Sequence, residues 1–184
     1  WPLGPDAVRE TNPSLVYVRV SGYGQTGPLA RRPGFASVCE AFGGLRHVNG
    51  VPGEMPVRTN LSLGDTLAGL HAALGVLLAW VHRLRSDGAP GQVVDVSIFE
   101  SVFNMLEGAV AEYSGAGVVR EPSGTTITGI VPSNTYRCGD GRPVVIGANT
   151  DSMFRRLMNA MGREDLAAAP ALADNAGRVA ARAR

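Results

Sequence analysis

The sequence predicts an α/β fold from three features. A short β-rich segment lies near the start, a long apolar helical segment follows it, and a second β-rich segment comes after that helix. Strands separated by helices in this order are typical of layered domains in which helices cover a sheet. The chain has 184 residues, 45% of them hydrophobic, which suffices to bury a core in one domain or two.

The first half of the chain is predicted to run β-α-α-β-α after a short helical turn. Leu15–Val20 is rich in β-forming residues and lies between Pro13 and Gly22, so we expect a buried strand there. A loop rich in glycine and proline follows it. The other predicted elements are a turn at Asp6–Glu10, a helix at Phe35–Phe42 with Gly43-Gly44 as its C-cap, a loop at His47–Asn60, a helix at Asp65–Arg85, a strand at Val93–Ile98 and a helix at Glu100–Tyr113.

The helix predicted at Asp65–Arg85 carries the strongest pattern. Its apolar residues recur every three or four positions on one face: Leu67, Leu70, Leu74, Leu78 and Val81. The stretch Leu67–Val81 contains His71 and is shorter than the ~18 uncharged residues of a membrane span. We therefore expect a buried core helix, no membrane partner, and a His71 that faces the core or an interface.

The second half begins with a change in composition. Ser114–Thr128 is rich in Gly, Ser and Thr and is predicted to be a linker or mobile loop. Ser133–Cys138 and Pro143–Ala148 flank a Gly-Asp-Gly turn, which predicts a β-hairpin, and Asp151–Met161 is predicted to be helical. Three arginines at helical spacing follow, interpreted as a solvated helix face: Arg178, Arg182 and Arg184.

Charge and cysteine content exclude several classes of function. The 17 basic and 16 acidic residues nearly balance and form no dense basic run, so no nucleic-acid partner is expected. Cys39 and Cys138 are far apart and belong to no metal-binding motif. We expect two reduced thiols, Cys39 buried, in a cytoplasmic protein without a signal peptide.

A carboxylate at the start of the long helix is the first candidate for chemistry. Gly64-Asp65 places Asp65 in the first turn. In one interpretation Asp65 is the N-cap, worth about 1 kcal/mol of stability. In the other, the helix dipole holds an ionised carboxylate ready to act as a nucleophile. The motif alone favours the cap and leaves both interpretations open.

A series of short motifs carries a resemblance to a known family. They occur in order between residues 4 and 180: Asn12–Tyr17, Ser21–Pro28, Arg32–Phe35, Ala41–Gly44, Gly64-Asp65, Gly91–Ser97, and Asp140-Gly141 with Val145-Ile146. This series resembles the class III CoA-transferases, the family of formyl-CoA and carnitine CoA-transferases. Each motif is weak evidence by itself, but the ordered series is specific.

The resemblance implies a nucleophile and a substrate. Asp65 matches the family's Gly-Asp nucleophile, which forms a mixed anhydride with the donor acyl group and then an aspartyl-CoA thioester. Coenzyme A thioesters and carboxylic acids are the implied substrates, with no metal and no permanently bound cofactor. Contacts to CoA or substrate are expected at Arg32, Gly34, Phe35 and Gly129, the last at the end of a segment interpreted as a lid, Gly124–Gly129.

The same family contains racemases, which need a second base. In that branch a histidine follows the glycine at the position of Gly34, whereas this sequence has Phe35 and then Ala36. A phenylalanine cannot carry a proton, so the transferase is favoured over a 2-methylacyl-CoA racemase. Ala36 also departs from the acidic residue common there in transferases, which leaves the acceptor open. A catalytically inactive fragment remains a further alternative.

The resemblance also implies an architecture. Residues 1–115 would form part of a Rossmann-like large domain, 116–130 a linker or mobile loop, and 131–184 an incomplete, smaller α+β domain. Relatives are longer, so we expect a fragment without the family's N- and C-terminal parts. Family members form interlocked homodimers. His47 and His82 are expected at the surface, and Arg58 is either solvated or a partner for an acceptor carboxylate.

Overall fold

A computed structural model describes residues 3–182, which form two compact units. The first unit comprises the residues up to Asn49 together with Pro56–Val119, and the second comprises Gly50–Met55 and the residues from Arg120 onward. Each unit has a two-stranded sheet of its own, parallel in the first and antiparallel in the second. Helices and strands alternate along the first unit, as the α/β prediction requires.

The sheet of the first unit pairs two strands that are distant in sequence. β1 (Tyr17–Ser21) and β2 (Val93–Ser97) run parallel in a register that pairs Tyr17 with Val93 and Ser21 with Ser97. The helices of this unit are α1 (Pro5–Thr11), α2 (Ala36–Phe42), α3 (Leu45–Val48), α4 (Leu63–Arg85), α5 (Ile98–Phe103) and α6 (Ala109–Ala116). The core of buried residues comprises Ala36, Cys39, Ala68, Val96 and Ile98.

Two details of the first unit differ from the sequence predictions, and a third agrees with them. β1 is only half-buried, with Val20 50% exposed, because its sheet has a single neighbouring strand. The loop predicted at His47–Asn60 begins inside the short helix α3, although His47 and His82 are exposed as expected. Gly43 and Gly44 end α2 as predicted, and Gly44 has the positive φ of 86° that favours glycine.

The helix predicted at Glu100–Tyr113 is broken in the structure. α5 begins earlier, because the Ser97 hydroxyl accepts a hydrogen bond from the Glu100 N–H and caps it. A short 3₁₀ turn follows, and the chain then reverses at Glu107, the non-glycine residue with a positive φ (53°) among those described. α6 starts only after Gly108. The predicted apolar face is interrupted accordingly, with Val102 buried and Val110 57% exposed.

α4 is not the buried helix that its composition predicts. Only 17% of its most apolar 18-residue window is buried, and Leu70, Leu74 and Leu78 are 63%, 54% and 62% exposed. The buried contacts lie on the side of Leu67, Ala68 and Ala79. By length and composition alone α4 is apolar enough to cross a membrane. It packs against β2 and α5, as the core helices of layered α/β domains also do.

The second unit is built on the predicted hairpin. β3 (Ser133–Arg137) and β4 (Pro143–Gly147) pair antiparallel, which confirms it. α7 (Asp151–Ala160) follows, capped by the Thr150 hydroxyl, which accepts a hydrogen bond from the Met153 N–H. The unit ends with α8 (Glu164–Ala167) and α9 (Asn175–Ala181).

Arg178 corrects the prediction of a solvated arginine face. Its side chain is buried, forms an ion pair with Asp151 at 2.9 Å and lies 4.9 Å from the centre of the Phe154 ring. It also donates hydrogen bonds to the carbonyl groups of Val131, Leu172 and Asn149. Five donors in a planar group can join several chain segments at once, and this arginine does so. Arg182 is exposed, and Arg184 lies outside the described residues.

Candidate active site

The candidate site lies beyond the carboxyl ends of β1 and β2. The loop after β1 and the segment before α2 meet here through two glycines. A Cβ atom on Gly22 would stand 2.7 Å from the Gly34 Cα, and one on Gly34 would stand 2.8 Å from Tyr23 and 3.2 Å from the Cys39 sulfur. Both positions therefore exclude a side chain. Carboxyl ends of parallel strands are where open α/β sheets bind ligands.

The first turn of α4 is packed into this region through Gly64. A Cβ atom there would be 3.2 Å from both the Ala36 Cβ and the Ile98 Cγ2. The start of α4 therefore lies against the starts of α2 and α5. Glycine at this position allows the close approach and brings Asp65, the next residue, to the same place.

The cap of α4 comes from another helix. Glu40, in α2, is 1% exposed, and its Oε1 accepts a hydrogen bond of 3.1 Å from the Gly64 N–H. Its Oε2 accepts one of 3.3 Å from the Arg46 Nε. Arg46 in turn donates to the Ser37 hydroxyl at 2.8 Å. Glu40 thus satisfies one of the N–H groups that every helix leaves without an intrahelical partner.

Asp65 itself is not the N-cap. Ser62 occupies that position without a side-chain capping bond, and Asp65 is the third residue of the helix. Its side chain is exposed and makes no hydrogen bond within the described residues. The N-cap interpretation is therefore wrong, and both carboxylate oxygens face the surroundings without a partner. The helix dipole favours a negative charge at this end.

Cys39 is a buried thiol next to this turn, and its surroundings lower its reactivity. Burial raises the pKa of Cys39 above its ordinary value of 9.0, and the negative charges of Asp65 and Glu40 act in the same direction. Its thiol donates a hydrogen bond to the Gly22 carbonyl at 3.3 Å. The thiolate is the nucleophilic form of cysteine, so Cys39 is a packing residue here, buried as the sequence predicts.

The glycine-rich loop after β1 is fixed by a carboxylate of β2. Asp95 Oδ2 accepts a hydrogen bond of 2.8 Å from the Gln25 N–H. Gly24 has a positive φ of 80°, which lets the chain turn next to that carboxylate.

Asp95 also lines a cavity of about 420 Å³ beside β2, together with His71 and Asn104. His71 is half-buried, with its Nδ1 2.8 Å from the Leu67 carbonyl oxygen and its Nε2 3.3 Å from the Asn104 Nδ2.

The residues expected to contact CoA or substrate are brought together only in part. Gly34 is in the tight glycine contact, and Phe35 is the N-cap residue of α2, with 81% of its surface exposed. Arg32 is exposed on the same loop. Gly129 belongs to the second unit, with a positive φ of 81°.

No group of three or more His, Cys, Asp or Glu among the described residues is placed to hold a metal ion.

Sequence analysis missed Glu40 and Asp95. Glu40 lies 24 residues before Gly64, so no local motif connects the two. The available signal was a single carboxylate within the otherwise apolar segment from Val38 to Phe42. Such a residue on a helix packed into a core needs a partner. Asp95 occupies the corresponding position among the apolar residues of β2.

Comparison with known proteins identifies the family. A family model described as CoA-transferase family III matches residues 1–184. The chain belongs to this family. It is 44% identical over 178 residues to a protein of Chloroflexus aurantiacus named succinyl-CoA–D-citramalate CoA-transferase, an alignment that covers 97% of this chain and 44% of the relative. A succinyl-CoA–L-malate CoA-transferase alpha subunit from Chloroflexus aurantiacus is 43% identical, with 99% and 42% covered.

Solved structures of other proteins share the fold. A CAIB/BAIF family protein from Brucella suis is 28% identical and superposes with a TM-score of 0.76 over 98% of this chain and 47% of its own. Rv3272 from Mycobacterium tuberculosis gives a TM-score of 0.79 at 28% identity, with 98% and 46% covered. The fold is therefore the α/β fold of these proteins. This chain spans less than half the length of the relatives it matches.

Proposed function

We propose that the protein is a CoA-transferase that moves CoA from an acyl-CoA donor to a carboxylic acid, with Asp65 as the nucleophile. The observation that carries the proposal is the exposed Asp65 carboxylate in the first turn of α4. It forms no hydrogen bond with the described residues, because Glu40 caps the turn instead. A carboxylate without capping duty, favoured as an anion by the helix dipole, is suited to attack a thioester carbonyl.

The proposed reaction exchanges one thioester for another. An Asp65 oxygen attacks the donor carbonyl, CoA leaves as the thiolate, and a mixed anhydride forms. The thiolate then attacks the Asp65 carbonyl, which releases the donor acid and leaves an aspartyl-CoA thioester. The acceptor carboxylate attacks that carbonyl and expels the thiolate, which finally attacks the acceptor's carbonyl and frees Asp65. No proton or electron is consumed overall. Covalent catalysis speeds the reaction because it splits one difficult step into several easier ones.

We propose succinyl-CoA as the donor and a dicarboxylic acid as the acceptor. Relatives at 40–44% identity are named for succinyl-CoA with D-citramalate or L-malate. A more distant relative from Haloarcula marismortui, 32% identical, is named for succinyl-CoA and mesaconate. Malate, citramalate and mesaconate are all dicarboxylic acids. In this proposal Arg32, Gly34, Phe35 and Gly129 contact the CoA ester or the acids.

Trapping of the intermediate tests Asp65 directly. The whole protein is incubated with succinyl-CoA, quenched with hydroxylamine, and digested for peptide mass spectrometry. We expect modification at Asp65, and loss of both modification and CoA transfer in Asp65→Asn. Asp87→Asn is the matched control, since Asp87 is an exposed carboxylate in the turn after α4. An Asp65→Asn variant with undiminished transfer to malate or citramalate would contradict the proposal.

The racemase alternative has no support in the site. The position of its second base is occupied by Phe35, whose exposed ring cannot accept a proton. His71 follows Asp65 by six residues on α4, about 9 Å along the axis, and its ring is engaged with the Leu67 carbonyl and Asn104. Exchange of the α-hydrogen of a 2-methylacyl-CoA in deuterated water, without any acceptor acid, would reverse this preference.

We further propose a homodimeric protein of the cytoplasm. The dimer is what resemblance to family III implies, and the free thiols Cys39 and Cys138 suit a reducing compartment. Light scattering of the whole protein measures its mass directly. Since two relatives are named as alpha and beta subunits, a requirement for a second, different chain is the outcome that would contradict the homodimer.

A further inference from the structure

Glu40 is deeply buried, and it accepts a hydrogen bond from the residue that precedes Asp65, the proposed nucleophile. Its two oxygens are divided between the Gly64 N–H and Arg46, at 3.1 Å and 3.3 Å. Gly64 is itself buried and immediately precedes Asp65. The hydrogen bond therefore fixes the Leu63–Gly64 peptide group, one residue before Asp65. Neither the family match nor the relatives' names assign any part to Glu40.

Stability alone is a poor explanation for a charge at this place. Removing a carboxylate from water is costly, and apolar residues of similar volume often stabilise a protein as well as a buried ion pair does. Glu40 is 1% exposed and Arg46 only 22%, so this pair bears much of that cost. What an apolar side chain could not supply is an acceptor for the buried Gly64 N–H.

We propose that Glu40 is the positioning residue of Asp65. It takes over the capping of α4, which leaves the Asp65 oxygens free, and it fixes the first turn so that those oxygens meet the thioester carbonyl. Arg46 neutralises the charge of Glu40 and is itself oriented by Ser37. This inference rests on the proposed function of Asp65, because positioning has a kinetic effect only if Asp65 reacts.

Two variants of nearly equal size separate the hydrogen bond from packing. Glu40→Gln keeps an oxygen that can accept from the Gly64 N–H, although it removes the charge that pairs with Arg46. Glu40→Met fills similar space but has no such acceptor. Asp65→Asn is measured beside them. Val102→Ala is the stability control, since Val102 is fully buried in the same unit and its side chain cannot accept a hydrogen bond from the Gly64 N–H.

Kinetics of the whole protein with succinyl-CoA and malate decide the matter. We expect Glu40→Met to lower kcat on the order of 10- to 100-fold with little change in KM, the scale of a displaced reacting group. Glu40→Gln should stay within about threefold of wild type. Val102→Ala, at an equal or larger loss of Tm, should keep its kcat. The rate of Asp65 modification in the trapping experiment should fall in parallel with kcat.

Four outcomes would overturn the inference, and one of them also removes its premise. If Asp65→Asn is inactive but folded Glu40→Met has wild-type kcat, positioning by Glu40 is refuted and the proposed function stands. If Val102→Ala loses kcat as Glu40→Met does, the effect is only destabilisation. If Glu40→Met does not fold, a folded Glu40→Gln with a large loss of kcat refutes the role of the hydrogen bond. Full activity of Asp65→Asn refutes both proposals.

Discussion

The Cys39 thiol is fully buried and hydrogen-bonded to the Gly22 carbonyl, whereas Cys138 is exposed beside the turn of the hairpin. Burial raises the pKa of Cys39, and the nearby charges of Asp65 and Glu40 add to the effect. Its thiolate therefore forms less readily than that of an ordinary thiol. We expect maleimide at pH 8 to label Cys138 rapidly and Cys39 only after denaturation, as counted by mass spectrometry.

The matched control for thiol labelling is Cys138→Ser. That variant should take up no label while folded and one label in denaturant, because only Cys39 remains. Rapid labelling of folded Cys138→Ser would mean that the region of α2 around Cys39 opens readily. Such opening would also disturb the hydrogen bond of Glu40, the next residue, to the start of α4.

Individual site residues could be predicted from sequence only where a local motif carries them. Gly64-Asp65 is such a motif, and the resemblance to family III selects Asp65. The N-cap interpretation failed because the residue that caps α4 is supplied from 24 positions away. The prediction for Arg178 failed for the same reason, since its partners lie on three other segments of the second unit, at Val131, at Asn149 with Asp151, and at Leu172. Non-local pairing of polar groups is decided by tertiary packing, which periodicity does not report.

At the scale of elements, α4 offers a direct comparison of two interior glycines. A Cβ atom on Gly69 would meet nothing within 4 Å, whereas one on Gly75 would stand 2.5 Å from the Val94 Cγ1 in β2. We expect Gly69→Ala to stabilise the protein by about 0.8–1 kcal/mol through helix propensity. Gly75→Ala should destabilise it, because overpacking costs about 1–3 kcal/mol and the β-branched Val94 has no alternative rotamer to adopt cheaply.

Urea unfolding of both glycine variants measures the difference. Their intrinsic helix propensities change by the same amount, so any difference in the free energy of unfolding reports the packing of α4 on β2. Gly75→Ala together with Val94→Ala should recover part of the loss, since the close methyl group is removed. Equal stabilisation by both single variants would show that α4 does not approach β2 closely at Gly75.

The boundaries of helices and strands were predicted more accurately where short-range interactions determine them. The hairpin of the second unit and the end of α2 were predicted correctly, because glycines and turn residues within a few positions determine them. The helix predicted at Glu100–Tyr113 was wrong at its start and in its middle. Ser97 caps α5 earlier than its apolar pattern suggests, and Glu107 adopts a positive φ that ends the helical stretch. Periodicity continues through such a break, so it gives no warning of it.

At the scale of the whole molecule, α4 carries an apolar stripe that the other described residues leave exposed. Five residues spaced alternately by four and three positions are about half exposed or more: Leu70, Leu74, Leu77, Val81 and Leu84. An apolar stripe of this spacing normally faces a core or another helix. The prediction of a buried helix is therefore wrong for this face of α4, which the described residues leave uncovered.

We expect this stripe to dominate the behaviour of the 184-residue chain studied alone. Exposed contiguous apolar surface binds hydrophobic dyes and promotes association. The triple variant Leu70→Gln, Leu77→Gln and Leu84→Gln should lower the fluorescence of bound ANS and the association state, at little cost in unfolding free energy, because these side chains are 61–71% exposed. Leu67→Gln is the matched control: Leu67 is only 7% exposed, so its change should destabilise the unit without lowering dye binding. Unchanged dye binding in the triple variant would mean that the stripe is already covered in solution, by association of α4 with itself or by a rearrangement of the chain.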